Sequence, residues 1–151
     1  MSRIALDTSV VVAALLGAHE HHEAARGAVD DALSCPGGAV LPVPVLFEAY
    51  AVLTRLPAPW RFRPDVVERL LYDTFAEHAT VVSLPDGESA MSLVRTLARG
   101  GLVGGVVHDA HVVACARAGG ASALATLNRR DFARLDLGGM ALDVPKVVQQ
   151  P

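Results

Sequence analysis

Four carboxylates sit where an otherwise apolar chain has little structural use for them. Asp7 stands between IAL and VVVAALLG, Glu48 interrupts VPVLFEAY, Asp109 opens the small-residue run VVHDAHVVACA, and Asp131 lies a turn beyond Asn128, which follows ALATL. A buried carboxylate without a partner costs several kcal/mol, on the order of a domain's whole stability margin. Brought together, such groups also repel unless a cation neutralises them. Oxygen ligands of this kind suit Mg²⁺ or Mn²⁺, and Mg²⁺ takes only one or two carboxylates directly, keeping other positions for water and substrate. The pattern points to a metal held by Asp7, Glu48 and Asp109. Taken singly, Asp7 and Asp109 fit plain helix capping equally well. Glu48 does not, and its neighbours Leu46, Phe47, Ala49 and Tyr50 predict a partly buried position.

For these residues to meet, strands and helices must carry them to one edge. RIAL reads as a buried strand, and Asp7-Thr8-Ser9 offers capping side chains before a helix that Gly17 closes. A second helix is expected over 19–33, then a strand AVLP, a helix over 44–56 opened by Pro44, a proline-punctuated connection over 56–64, and a helix from Pro64 to about His78. TVVSL is a strand, 86–101 and 106–120 are helices ended by glycine pairs, ALATL is a buried strand, NRRDFARL a short helical turn, and GMALDV a last strand. This alternation predicts an α/β/α sandwich, a mainly parallel central sheet of about five strands flanked by helices, in one domain over 1–151. Ligands of such sheets gather beyond the carboxyl ends of the strands, where Asp7 lies.

Composition narrows the class. With 151 residues and 52% hydrophobic content, the chain has ample material for a core, and a formal net charge of −3 argues against a broadly basic nucleic-acid coat. Cys35 and Cys115 have neither metal-ligand nor redox spacing and suit a reducing compartment. Arg3 ahead of an apolar run imitates a signal peptide, but Asp7 interrupts it, and no segment approaches the roughly 18 apolar residues of a membrane span. A cytoplasmic protein is expected.

Asp7-Thr8-Ser9 after a short first strand, Glu48 in a helix opened by a proline, Asp109-Ala110 opening a small-residue helix, and TLNRRDF after a strand together resemble the PIN domain. More narrowly, they are similar to the VapC toxins of bacterial toxin-antitoxin pairs. The resemblance covers Arg3 to about Val144 and implies an endoribonuclease using carboxylate-bound Mg²⁺ or Mn²⁺. It also implies inhibition by a cognate VapB antitoxin, a homodimer, and products with 5′-phosphate and 3′-hydroxyl ends. Many PIN domains place an acid directly after the fourth strand; here that place is held by Asn128, and the nearest acid is Asp131. Asp131 then binds metal directly, binds it through water, or orients the other ligands, while Asn128 supplies a neutral oxygen or a substrate hydrogen bond.

On this reading a metal on Asp7 and Asp109 activates a water against a phosphodiester, and Glu48 ligates or acts as base through water. Ser9 is a candidate to hydrogen-bond Asp7, Arg129 and Arg130 to reach RNA phosphates, and His108, beside Asp109, to assist from behind or touch phosphate. HEHHE over 19–23 suggests zinc only weakly; a solvated helix face or an antitoxin contact suits it better. WRFR over 60–63 combines aromatics with arginines, fitting an RNA stack or, slightly better, a protein groove. Two other classes compete. One is a PIN-like RNA- or protein-binding module that has lost catalysis. The other is a haloacid-dehalogenase-like phosphatase, which wants a second Asp where this chain has Ser9.

Overall fold

A computed structural model of the chain describes residues 1–146. Five strands, β1 (Ile4–Leu6), β2 (Ala39–Pro42), β3 (Thr80–Val82), β4 (Ala123–Ala125) and β5 (Ala141–Asp143), pair in the order β3-β2-β1-β4-β5, every pair parallel. Among the described residues the helices are α1 (Thr8–Leu15), α2 (His22–Ser34), α3 (Val43–Arg55), α4 (Pro64–Leu71), α5 (Gly87–Arg99), α6 (Val106–Ala118) and α7 (Arg129–Ala133). The expected α/β/α sandwich is the one observed.

The central strands are short and covered on both faces. Ala5 and Leu6, Ala39 to Leu41, and Leu124 with Ala125 are all buried, so these strands read as unbroken apolar runs rather than alternating ones. The chain adds β2 and β3 on one side of β1, then β4 and β5 on the other. The direction of travel thus reverses between β1 and β4, and a crevice opens beyond their carboxyl ends. Asp7 leaves β1 into that crevice, and its amide donates to the Ala125 carbonyl at 3.0 Å, so the two strand ends stay joined there.

Leu6, Val10, Leu41, Leu53, Phe75, Leu124 and Phe132 form the fully buried centre. Each such side chain stabilises the fold by about 1.5–3 kcal/mol. That burial sustains the cost of a carboxylate at the crevice floor. Phe132 has a second role: it anchors the five-residue α7 between α6 and β5, which holds Asn128 and Asp131 at the crevice rim. Arg3, the charge that imitates a signal peptide, is engaged at the opposite end of the sheet. Its guanidinium donates to the Gly37 carbonyl at 3.0 Å, to the Gly119 carbonyl, and to Thr80 Oγ1 at 2.7 Å.

Three local expectations differ from the fold. The second helix starts at His22 rather than His19, because α1 ends at Leu15 and residues 19–21 turn the chain, with the His19 amide donating to the Leu16 carbonyl at 2.9 Å. The long helix from Pro64 stops at Leu71 and widens into a π-helical turn, Tyr72–Ala76, around the buried Phe75. In WRFR, Trp60 is exposed, but Phe62 packs against the core, Arg61 donates to the Leu56 carbonyl at 2.8 Å, and Arg63 pairs with Asp65 at 3.0 Å. No helix among the described residues is long and apolar enough to cross a membrane.

Candidate active site

Asp7, Glu48 and Asp109 line one open cavity of about 450 Å³ at the reversal point of the sheet. Asp7 is its floor. The residue is only 5% exposed and occupies the position before α1, yet its side chain makes no capping hydrogen bond. A true cap in the same chain shows the contrast: Asp86 accepts from the Ser89 amide at 2.7 Å, which holds its carboxyl below the ordinary range. Asp7 instead accepts from two hydroxyls. Ser9 Oγ and Thr126 Oγ1 each donate to its Oδ2 at 2.8 Å.

Both hydroxyls are fixed from behind. The Leu127 amide donates to Ser9 Oγ and the Asn128 amide to Thr126 Oγ1, each at 3.0 Å. Each hydroxyl thus spends its single hydrogen on Asp7 and accepts from the chain leaving β4. The carboxylate is held by the two strand ends together, and Oδ1 receives neither hydroxyl. Even so, burial raises the Asp7 pKa, with the hydroxyls of Ser9 and Thr126 working against the rise.

Asp109 stands in the first turn of α6, whose preceding residue is Gly105, so it too is no cap. Its pKa is raised from 3.8 to about 6, by burial first and then by the negative charges of Asp7, Asp131 and Glu48, with Arg134 opposing. The three other acids are therefore close enough to be felt. In metal-free protein the folded state then holds the Asp109 proton more tightly than the unfolded chain does. This contribution to stability is present below about pH 4 and is lost as pH rises through 6. Thermal unfolding in chelator should show Asp109→Asn gaining on the parent across that window and keeping a constant margin above it.

Glu48 corrects an expectation: it is exposed, not partly buried. On α3 it is Val45, Ala49 and Leu53 that face the core, while Phe47 beside it is 73% exposed. Thr8 Oγ1 donates to Glu48 Oε2 at 3.0 Å and ties it to the residue after Asp7. Asn128 lines the acid cavity itself, whereas Asp131 lies in an adjoining one of about 390 Å³ with Arg129 and Arg130. His108 is not brought to the acids. One residue from Asp109, it is turned about 100° round α6 and faces Leu93, Val94 and Leu97 of α5.

Five contributors were not assigned to this site by the sequence. Thr126 and Thr8 are ordinary residues at a strand end and a helix start, and only their partners mark them. His19 and His21, with Glu20, line the cavity because the turn after α1 folds back over it. Among the described residues no three His, Cys, Asp or Glu side chains are gathered tightly enough to enclose an ion by themselves. Asp7 at the floor and Glu48 and Asp109 on the walls present oxygen donors to an open cavity.

A parallel sheet whose reversal point carries a buried acid, faced by further acids from two helices, defines a class. The PIN-domain profile matches residues 4–137, and the chain belongs to that family. Within it the chain is a member of the VapC ribonuclease group. It is 38% identical over 121 residues to Ribonuclease VapC40 of Mycobacterium tuberculosis, covering 80% of this chain and 84% of the relative. It is also 38% identical over 129 residues to Ribonuclease VapC27 of the same organism, covering 84% and 85%. Among solved structures, the DNA-bound VapBC of Salmonella typhimurium matches with a TM-score of 0.63 at 21% identity, covering 95% of this chain and 98% of that one, a likeness of fold.

Proposed function

We propose that the chain is a divalent-metal-dependent endoribonuclease and the toxin of a VapBC-type pair. The observation that carries this reading is Asp7: a desolvated carboxylate held by two strand ends through Ser9 and Thr126, with Glu48 and Asp109 facing the same cavity. The donor set fits Mg²⁺ or Mn²⁺, being all oxygen and internally repulsive. When bound, such an ion lowers the pKa of a coordinated water and stabilises charge on a phosphodiester.

Asp7 and Asp109 would hold the ion, with Glu48 joining them or taking a proton through water. Ser9 and Thr126 fix the direction of Asp7. Asn128, on the cavity wall, hydrogen-bonds substrate or water, and Arg129 and Arg130 attract RNA phosphates from the adjoining cavity. Asp131, whose charge is felt at Asp109, would bind the ion directly or through water, or orient the other ligands. Phe47, Tyr50, Trp60 and Tyr72 stand exposed on α3, the following loop and the π-helical turn, which suits an amphipathic segment of a VapB antitoxin. A cation on that segment, near Asp7 and Asp109, adds electrostatic inhibition to steric cover, and a homodimer completes the assembly.

The test is the chemistry of the ends. Purified protein incubated with RNA and Mn²⁺ should leave 5′-phosphate and 3′-hydroxyl termini. A 2′,3′-cyclic phosphate would mean that the RNA's own 2′-hydroxyl is the nucleophile, and the reading would fail. RNA binding with no cleavage would favour the binding module, and phosphate release from small esters the phosphatase.

A further inference from the structure

The turn His19–Glu20–His21 is a wall of the acid-lined cavity to which the hydrolytic chemistry assigns no task. It is firmly built. The Leu16 amide donates to the Val12 carbonyl and the His19 amide to that of Leu16, each at 2.9 Å, and the His22 amide donates to the His19 carbonyl at 3.0 Å. His22 Nδ1 hydrogen-bonds the Ala13 carbonyl at 2.8 Å, which pins the turn to α1, the helix that starts beside Asp7.

Two side chains of this turn have defined hydrogen-bonding character. The His21 amide donates to His19 Nδ1 at 3.0 Å, so the His19 ring carries its proton on Nε2. Burial first, and then His21, hold the His19 pKa below the ordinary imidazole range, so the ring is a neutral donor at pH 7. Glu20, the next residue, has a side chain 83% exposed and offers only acceptors; its Oε1 lies 3.5 Å from His21 Nε2. His21 Nδ1 is buried without a partner among the described residues, so Nε2 is the nitrogen that faces Glu20.

An uncharged donor beside an anion is a poor surface for a phosphodiester. Phosphate belongs at the other end, with Arg129 and Arg130 beyond Asn128. Glu20 follows His19 in the chain and its charge is felt at the His19 ring, and a neutral donor near such an acceptor complements a base edge. We infer that His19 and Glu20 read a keto base next to the cleaved phosphate, the carbonyl oxygen accepting from His19 Nε2 and the ring N–H donating to Glu20. Guanine (O6 beside N1–H) and uracil (O4 beside N3–H) present that order; adenine and cytosine present the reverse. The inference rests on the ribonuclease reading.

The experiment uses RNA oligonucleotides that differ only in the bases flanking one cleavable step, with kcat and KM measured for the parent, His19→Ala, His19→Gln and Glu20→Gln. The parent should favour guanine or uracil at one flank. His19→Ala should raise KM for those substrates about tenfold, the worth of one directed hydrogen bond, and level the four bases. His19→Gln, whose amide can reach the Nε2 position, should restore part of the preference, and Glu20→Gln should weaken it. Mn²⁺ affinity of these variants should match the parent, as should the melting temperature of Glu20→Gln. A parent without keto preference, or variants that keep the parental preference, would overturn the inference while leaving the nuclease intact. A parent that cleaves no RNA would remove the reading beneath it. Should His19→Ala fail to fold, His19→Gln and Glu20→Gln carry the test alone.

Discussion

Asp7→Asn should lower RNA cleavage by about 10³-fold or more while leaving metal-free protein at least as stable as the parent. The two effects share one cause. Asp7 is 5% exposed and its pKa is raised by burial, so its charge is held at a cost that function needs and folding does not. Asparagine keeps an oxygen that can accept from both Ser9 and Thr126, so no hydroxyl is orphaned. It also removes a negative charge that pushes Asp109 up, and the pH window of Asp109 should move toward ordinary carboxylate values. Activity assays, melting curves in chelator and Mn²⁺ titration form the check. A variant that is both inactive and strongly destabilised would mean that Asp7 is structural.

The second large effect is expected at a residue with no charge. Thr126→Val preserves shape but removes the donor to Asp7 Oδ2 and the acceptor of the Asn128 amide, in a position with no solvent access. Loss of a hydrogen bond that aims a metal ligand typically costs about 10–100-fold in activity or metal affinity. The two lost hydrogen bonds add about 0.5–1.5 kcal/mol of destabilisation each. Thr126→Val should therefore lose on both axes, the opposite of Asp7→Asn on stability. Thr126→Ser, which keeps the hydroxyl, should recover most of the activity. Parental Mn²⁺ affinity in Thr126→Val would show that Ser9 alone positions Asp7.

The two variants mark where sequence was legible and where it was not. Asp7 and Asp109 were visible because a charge inside an apolar run is a local anomaly, and the strand-helix alternation because strands covered on both faces are unbroken apolar words. Thr126 had no such contrast, since threonine is common in strands and its role exists only once β4 lies beside β1. The turn 19–21 escaped for a related reason: a polar stretch before a helix looks solvated until α1 is seen to end at Leu15 and the chain to turn back over the crevice. Glu48 and His108 went astray in opposite ways. Sequence neighbours suggested burial for Glu48 although Phe47 is itself exposed, and adjacency to Asp109 suggested a shared site for His108 although one helical step turns it toward α5.

The central claim, that Asp7, Glu48 and Asp109 cut RNA by holding a divalent cation, is tested most directly by metal depletion and return. Protein stripped with excess chelator should cleave no RNA, and adding Mg²⁺ or Mn²⁺ back should restore cleavage along a saturable curve whose midpoint shifts to higher metal in Asp109→Asn. Cleavage that continues undiminished in excess chelator would contradict the account.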